Sequence, residues 1–165
     1  MEEERNLGQG RALSVRPYRV RKKRFTAGTP GFPREFVITA ERALMATILV
    51  VEDDVFIREY AEAMIYDWGH EILSACDVPQ ALVHLRSAAH IDALFTDIYL
   101  KDEVHGGCDL ARQAILLRPE LRILYTTGNR VTDTLRALFA TGTHFLPKPY
   151  TEDQLGLSVN NMLAA

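Results

Sequence analysis

Residues 46–54 read ATILVVEDD: a run of residues that favour an extended chain, followed directly by three carboxylates. An uninterrupted aliphatic run of this length is typical of a strand that is covered on both faces. Downstream, Ile57, Ala61 and Trp68 recur at helical spacing until Gly69 stops the pattern. The stretch therefore predicts a buried strand with an acidic carboxyl end, followed by an amphipathic helix.

This strand–helix unit recurs along the rest of the chain. Further apolar runs occupy residues 71–75, 91–96, 122–126 and 143–146. Each is followed by a segment with one apolar face, marked by Val78 and Leu85, Leu110 and Leu117, Leu135 and Phe139, and Leu155 and Met162. Five strands that alternate with five helices indicate an α/β protein with a doubly wound parallel sheet.

The segment before Met45 has a different composition. Residues 1–44 carry ten Lys or Arg and five Glu, whereas the rest of the chain carries nine basic and seventeen acidic residues. The segment has no regular hydrophobic period and contains a basic cluster at Arg19–Arg24. We expect residues 1–44 to be a basic, mobile N-terminal arm, or an upstream extension before a start at Met45, and residues 45–165 to be the folded domain.

Composition also excludes several classes of protein. No apolar run is long enough to cross a membrane, and the acidic N-terminus does not resemble a secretory signal. Cys76 and Cys108 form neither a disulfide framework nor a metal-ligand pattern, and Cys108 is expected to be a small buried residue. The five histidines have no ligand spacing, so we expect them at surface or loop positions. These features predict a cytoplasmic protein without a membrane partner.

The predicted strand ends carry the chemistry of the chain. The first strand ends in Glu52 and Asp53, the third in Asp97, the fourth in Thr127 and the fifth in Lys148. Open parallel sheets bind their ligands at these carboxyl ends. Clustered carboxylates raise one another's pKa unless a cation lies between them, and hard oxygen ligands suit Mg²⁺. Because an ammonium and a hydroxyl can hold phosphate oxygens, the set predicts magnesium-dependent phosphoryl chemistry.

Taken singly, each of these residues has a simpler interpretation. An Asp after a strand is usually a helix cap or a turn residue, Thr-Thr-Gly is a common turn, and a Lys before Pro is unremarkable. The site hypothesis depends on their agreement, because four separate strand ends carry complementary groups in the order that one sheet edge would bring together.

Four motifs together resemble the receiver domains of two-component response regulators. They are ILVVED at residues 48–53, FTD at 95–97, YTTG at 125–128 and LPKPY at 146–150. The resemblance extends from Met45 to Ala165 and implies a flavodoxin-like (βα)5 sheet with strand order 2-1-3-4-5. The loop after Asp97 and the Thr-Thr-Gly and Lys-Pro-Tyr-Thr segments are most similar to receivers that work with hybrid sensor kinases.

The resemblance also implies a role for individual residues. Asp97 would be the phosphoacceptor, and Mg²⁺ would be bound by Glu52, Asp53, Asp97 and the backbone carbonyl of Tyr99. Thr127 would be the switch hydroxyl, and Lys148 would bind the phosphoryl group, with a cis bond to Pro149. A second set of positions would modulate the response: Phe145 as the aromatic switch, and Tyr99 and Asn129 as the residues that tune dephosphorylation.

Two positions depart from the family pattern. Many receivers have a proline four residues after the phosphoacceptor, where this chain has Lys101, so the conformation of that loop cannot be transferred from the family. Phe145 lacks the hydroxyl of a tyrosine switch, so its inward and outward positions would differ mainly in packing. Tyr99 is bulky, and we expect its ring to shield the phosphoryl group and prolong the phosphorylated state.

These features predict a stand-alone response regulator, because nothing after the last helix resembles an output domain. It would receive its phosphoryl group from a sensor histidine kinase or a histidine phosphotransfer protein and signal through the face of the fourth helix and fifth strand, a face that often forms homodimers in the family. We expect a signalling phosphoacceptor, not a conventional enzyme, with no nucleic-acid partner. Two alternatives remain at this stage: a binding module that works without phosphorylation, with its basic arm available to nucleic acid, and a flavodoxin-like cofactor binder, which the acidic strand ends disfavour.

Overall fold

The computed structural model describes residues 45–101, 103 and 105–165, and within them five β-strands alternate with five α-helices. The strands are β1 (Thr47–Val51), β2 (Glu71–Ala75), β3 (Ala93–Asp97), β4 (Arg122–Thr127) and β5 (His144–Pro147). The helices are α1 (Val55–Asp67), α2 (Val78–Arg86), α3 (Gly106–Leu117), α4 (Asp133–Arg136) and α5 (Glu152–Ala164). The predicted arm at residues 1–44 lies outside the described residues.

All strands pair in parallel in one sheet, in the order β2-β1-β3-β4-β5. This confirms the predicted flavodoxin-like fold. The order reverses between β1 and β3, and at such a crossover the carboxyl ends of neighbouring strands leave a crevice that the connecting loops do not fill. In the described part of the chain, no helix has the length and apolar character needed to span a membrane.

Alternate side chains of the strands pack into two separate hydrophobic cores, one on each face of the sheet. Leu49 and Val51 of β1 face the cluster formed with α2 and α3, whereas Ile48 and Val50 face the cluster formed with α1 and α5. All four side chains have 0% exposure, and burying one such side chain stabilises the fold by about 1.5–3 kcal/mol. The unbroken aliphatic run of β1 thus reflects burial on both faces of the sheet.

Polar side chains cap the starts of α1, α2, α4 and α5. The third carboxylate of the acidic run, Asp54, accepts hydrogen bonds from the backbone N–H groups of Phe56 (2.8 Å) and Ile57 (3.1 Å) and so caps α1. Asp77 caps α2, and Thr151 forms a capping box with Gln154 at the start of α5. The Asp54 carboxylate therefore caps α1, whereas the carboxylates of Glu52 and Asp53 do not.

The buried face of α1 differs from the prediction. Ala61 and Ile65 are buried, whereas Trp68 is 37% exposed. Trp68 is the C-cap residue and Gly69 follows with φ +94°, so the chain turns away from the helix axis before the Trp68 ring can enter the core. The ring lies instead against Gly156 of α5, where a Cβ atom would be 3.2 Å from it.

Other side chains also differ from their expected environments. Leu117, the last residue of α3, is 46% exposed, because the buried face of that helix ends at Ala114. His70 lies in the loop before β2, as expected, but it is buried, and its Nδ1 atom accepts the backbone N–H of Ala46 at 3.3 Å. Cys108 is completely buried, as predicted.

The fourth helix is shorter than the apolar pattern indicated. Its regular part covers four residues, and the chain then continues in tighter turns, with N–H donation from Leu138 to Leu135 and from Phe139 to Arg136. Phe139 stacks on Tyr125 of β4 with ring centroids 4.5 Å apart, and the hydroxyl of Tyr125 accepts the N–H of Ala140. The segment after Arg136 is therefore held by contacts with the sheet and does not continue as a regular helix.

Candidate functional site

The sheet brings the predicted site residues to one edge. Glu52 directly follows β1, Asp97 and Thr127 are the last residues of β3 and β4, and Lys148 directly follows β5. Glu52, Asp97 and Thr127 are at most 7% exposed, and the side chain of Lys148 is 12% exposed. Such burial of charged groups requires that they pair with one another or with a bound ion.

Lys148 is the central cation of this edge. Its Nζ atom donates to Oε2 of Glu52 and to Oδ2 of Asp97, each at 2.6 Å. Its backbone N–H donates to the carbonyl of Thr127, and its peptide bond to Pro149 is cis, as the resemblance implied. Burial lowers the pKa of Lys148, but the hydrogen bonds to Asp97 and Glu52 outweigh this effect and hold the pKa above its ordinary value. Lys148 therefore stays charged between two carboxylates.

Three carboxylates form a candidate metal centre. Glu52, Asp53 and Asp97 each offer an oxygen atom, and these atoms lie within 4.8 Å of one another. Burial raises the pKa of Glu52 to about 7, although Lys148 acts in the opposite direction. A cation at this position would stabilise the ionised carboxylates, and three hard oxygen donors with solvent on one side fit Mg²⁺, which usually retains several water ligands.

Asp97 is held from two sides. Besides the ammonium of Lys148 on Oδ2, its Oδ1 atom accepts the backbone N–H of Tyr99 at 3.2 Å. The Tyr99 ring is half-buried and tilted against the ring of His105, with centroids 5.6 Å apart. Both oxygens of the carboxylate therefore have a donor, and an aromatic pair forms in the segment that follows it.

Gly107 is required by the path of the chain beside Asp97. A Cβ atom at this position would overlap the carbonyl oxygen of Asp97 and lie 2.9 Å from Cα of Ile98. Without a side chain, the N–H of Gly107 reaches the carbonyl of Ile98 at 3.0 Å. The start of α3 thus packs directly on the backbone of the candidate phosphoacceptor.

The predicted switch residues occupy different surroundings. The hydroxyl of Thr127 accepts the N–H of Asn129 at 3.1 Å, which links these two predicted positions within one loop. Phe145 is partly buried against the core cluster formed with α2 and α3, and its ring centroid lies 6.1 Å from that of Phe139. The structure thus gathers Glu52, Asp53, Asp97 and Lys148 into one cluster, with Tyr99 and Thr127 beside it and Phe145 apart from it.

Arg58 is a neighbour of the site that the sequence analysis missed. Its Nη1 atom donates to the backbone carbonyl of Glu52 at 2.6 Å, and its Nε atom lies 3.8 Å from Oε1 of Glu62. The guanidinium thereby fixes the peptide that joins the two acidic residues Glu52 and Asp53. The sequence did contain a signal for this contact, since Arg58 lies one turn into the helix that follows the acidic strand end. A helix that packs back on its own strand places a residue at this position close to the end of the strand.

Comparisons with known proteins find similar sequences and similar folds. The family model of the response regulator receiver domain matches residues 48–160. The alginate biosynthesis transcriptional regulatory protein AlgB of Pseudomonas aeruginosa is 29% identical over 117 residues, which are 70% of this chain and 25% of AlgB. The chain therefore spans about a quarter of that curated relative.

Two solved structures match over nearly their whole length. A response regulator receiver protein from Sinorhizobium medicae WSM419 is 27% identical with a TM-score of 0.67, and the match covers 74% of this chain and 98% of that one. The receiver domain of the hybrid histidine kinase CckA is 28% identical with a TM-score of 0.59, over 71% of this chain and 98% of that domain. Both similarities extend to sequence as well as fold.

Proposed function

Because this chain belongs to the response regulator receiver domain family, we propose that it accepts a phosphoryl group on Asp97 from a sensor histidine kinase or a histidine phosphotransfer protein. The observation that carries the proposal is the position of Asp97, which is 7% exposed and lies 2.6 Å from the ammonium of Lys148. Phosphoryl transfer requires mainly positioning and charge neutralisation, and both are available around this carboxylate.

In the transfer step, an oxygen of Asp97 forms a bond to phosphorus while the phosphorus–nitrogen bond of the donor phosphohistidine breaks. The electron pair stays on the imidazole, which then takes up a proton. The N–H of Tyr99 and the ammonium of Lys148 orient the attacking carboxylate, and Lys148 then binds an oxygen of the new acyl phosphate. These contacts hold the carboxylate before the donor arrives, which lowers the entropic cost of the reaction.

We propose Mg²⁺ as the metal of this site. Glu52, Asp53 and Asp97, with the backbone carbonyl of Tyr99, would hold it, because the three carboxylates can each direct an oxygen to a common point. When bound, Mg²⁺ neutralises negative charge on the phosphoryl and carboxylate oxygens. Arg58 holds the Glu52 carbonyl and so keeps the acidic pair in place.

The proposed output is a shift between two conformations. The added charge attracts the hydroxyl of Thr127, which would exchange the N–H of Asn129 for a phosphoryl oxygen. Movement of β4 and the following loop would then repack Phe145 against Phe139 on the face formed by α4 and β5. We propose that the chain acts as a cytoplasmic regulator that signals through this face, by a partner interaction or by forming a homodimer.

The test is direct phosphorylation with a small-molecule donor. The full chain is incubated with acetyl phosphate and Mg²⁺, and the intact mass is measured. We expect the mass of one added phosphoryl group on the wild type and none on Asp97→Asn. Asp54→Asn is the matched control, because it removes a neighbouring carboxylate, keeps a residue that can cap α1, and should accept the phosphoryl group normally.

Two outcomes would contradict the proposal. A wild-type chain that gains no phosphoryl group under conditions that retain its fold would indicate a binding module that works without phosphorylation. An equal adduct on Asp97→Asn would place the acceptor elsewhere. Omission of Mg²⁺ in the presence of a chelator should also abolish the adduct, because the acidic cluster then repels the phosphoryl donor.

A further inference from the structure

Lys101 has an unusual backbone conformation next to the candidate metal centre. It is the one non-glycine residue with a positive φ angle, +49°, in the part of the chain that the structure describes. L-residues rarely adopt this left-handed region, so neighbouring contacts must hold it there. The residue lies in the loop after β3, where the N–H of Glu103 donates to the carbonyl of Leu100 and closes a tight turn.

In this conformation the backbone N–H of Lys101 points at a carboxylate of the metal centre. It donates to Oδ2 of Asp53 at 3.3 Å, between residues that are 48 positions apart in the sequence. Among the described residues, this is the single hydrogen bond that the Asp53 side chain accepts. The loop after β3 therefore fixes the side chain of a residue at the end of β1.

The Lys101 side chain attaches the same turn to a second element. Its Nζ atom lies 3.2 Å from Oδ2 of Asp77, whose other carboxylate oxygen accepts the N–H of Gln80 at 2.9 Å and caps α2. The side chain and the backbone N–H of Lys101 thus contact two separate elements, the start of α2 and the end of β1. This double attachment explains how a residue outside the core keeps a left-handed backbone.

We propose that the backbone N–H of Lys101 is a positioning group for the metal ligand Asp53. It holds Oδ2 from one side, so that the other carboxylate oxygen turns toward the oxygens of Glu52 and Asp97. Hydrogen bonds of this kind to metal-binding carboxylates commonly determine the orientation of the ligand and the affinity for the metal. The inference rests on the proposed function, because it takes these three carboxylates to be the metal site.

This backbone contact also explains why a lysine can occupy a position where many receivers have a proline. Proline has no N–H, and its ring fixes φ near −65°, so it can supply neither the hydrogen bond nor the left-handed conformation. A chain with proline at this position must orient its acidic residue by other contacts. Here the orientation depends on the backbone of Lys101, and the side chain contributes only by attaching the turn to Asp77.

The experiment measures Mn²⁺ binding to the full chain by electron paramagnetic resonance, without a phosphoryl donor. Lys101→Pro removes the N–H and the left-handed conformation, and we expect about tenfold weaker binding. Lys101→Gly is the matched control, because it keeps the N–H and accepts a positive φ, and its affinity should stay within about twofold of wild type. Asp53→Ala should lose specific binding.

A second measurement does not depend on how Lys101→Pro folds. The amide proton of Lys101 should move upfield in Asp53→Ala, because it loses its acceptor, and should shift again when Mg²⁺ is added to wild type. Equal Mn²⁺ affinities of Lys101→Pro and Lys101→Gly, or an amide signal that is unchanged in Asp53→Ala, would overturn the inference. Retention of Mn²⁺ binding by Asp53→Ala would instead contradict the proposed metal site itself.

Discussion

The ammonium of Lys148 lies 2.6 Å from Oδ2 of Asp97, across two strand ends that are 51 residues apart in the sequence. The same ammonium is 2.6 Å from Oε2 of the buried Glu52. One cation therefore lies between two carboxylates of the site. This arrangement makes the charge state of the site sensitive to the loss of Lys148, to pH and to divalent metals.

Replacement of Lys148 should destabilise the metal-free domain in a pH-dependent way. Lys148→Ala leaves the buried Glu52 and Asp97 without their shared cation, and breaking a buried ion pair of this kind costs about 3–5 kcal/mol. Urea unfolding in a chelator at pH 8 measures this loss. At pH 5 the loss should be smaller, because Glu52 becomes protonated. A loss that is equal at both pH values would contradict the proposed charge balance.

Glu52 should make the metal-free domain less stable as the pH rises. Burial raises its pKa to about 7 in the folded chain, above the ordinary value of 4.5. A carboxyl group whose pKa is raised on folding stabilises the fold fully below the unfolded pKa, and this contribution is lost as the pH rises through the folded pKa. The loss should therefore occur between about pH 4.5 and pH 7.

The comparison with Glu52→Gln isolates this effect, because glutamine has the same shape and does not titrate. Urea unfolding is measured in a chelator at several pH values, and the free energy of unfolding of wild type should decline relative to Glu52→Gln across that range. Addition of Mg²⁺ should reduce the decline, because a bound cation stabilises the carboxylate. A constant difference between the two chains would exclude a raised pKa at Glu52.

Much of the site could be predicted because parallel strands bring their carboxyl ends to one edge. The positions of Glu52, Asp97, Thr127 and Lys148 follow from the strand assignments alone. Contacts between a loop and a distant strand end do not follow in this way. The bond from Lys101 to Asp53 depends on a left-handed backbone, and neither a local hydrophobic period nor a turn motif indicates that conformation at a lysine.

The helix pattern was less reliable where side chains at helix ends leave the core. Trp68 continues the apolar spacing of α1, but the chain turns at Gly69 and places the ring against α5. After α4, Leu138 and Phe139 continue the helical spacing while their backbone adopts tighter turns. In both cases tertiary contacts with another element determine where the side chain lies. The spacing of apolar residues in the sequence contains no information about such contacts.

Gly107 should be among the least tolerant positions of the domain. In Gly107→Ala the new methyl group overlaps the carbonyl of Asp97, so the start of α3 must move away from β3. We expect a loss of about 3 kcal/mol in the free energy of unfolding, measured in urea. Gly128→Ala is the control at the same sheet edge, because its nearest neighbour, Cβ of Lys148, would be 4.0 Å away. Equal stabilities of the two variants would contradict the close packing at Gly107.

Tyr99 should determine how long the phosphoryl group remains on Asp97. Its backbone N–H donates to the Asp97 carboxylate, and its half-buried ring packs against His105 in the segment that follows the acceptor. In Tyr99→Asn the backbone contact is kept, the ring is lost, and water can approach the acyl phosphate. We expect dephosphorylation about tenfold faster, equivalent to about 1.4 kcal/mol of barrier.

The measurement for Tyr99 is the decay of the phosphoryl adduct by intact mass after the donor is removed. Tyr66→Asn provides a control, because Tyr66 is a 40% exposed tyrosine of α1 and its replacement should leave the decay rate unchanged. His105→Ala tests the packing argument, since a ring that loses its neighbour should shield less well and give an intermediate rate. If Tyr99→Asn decays at the wild-type rate, the ring does not shield the acyl phosphate.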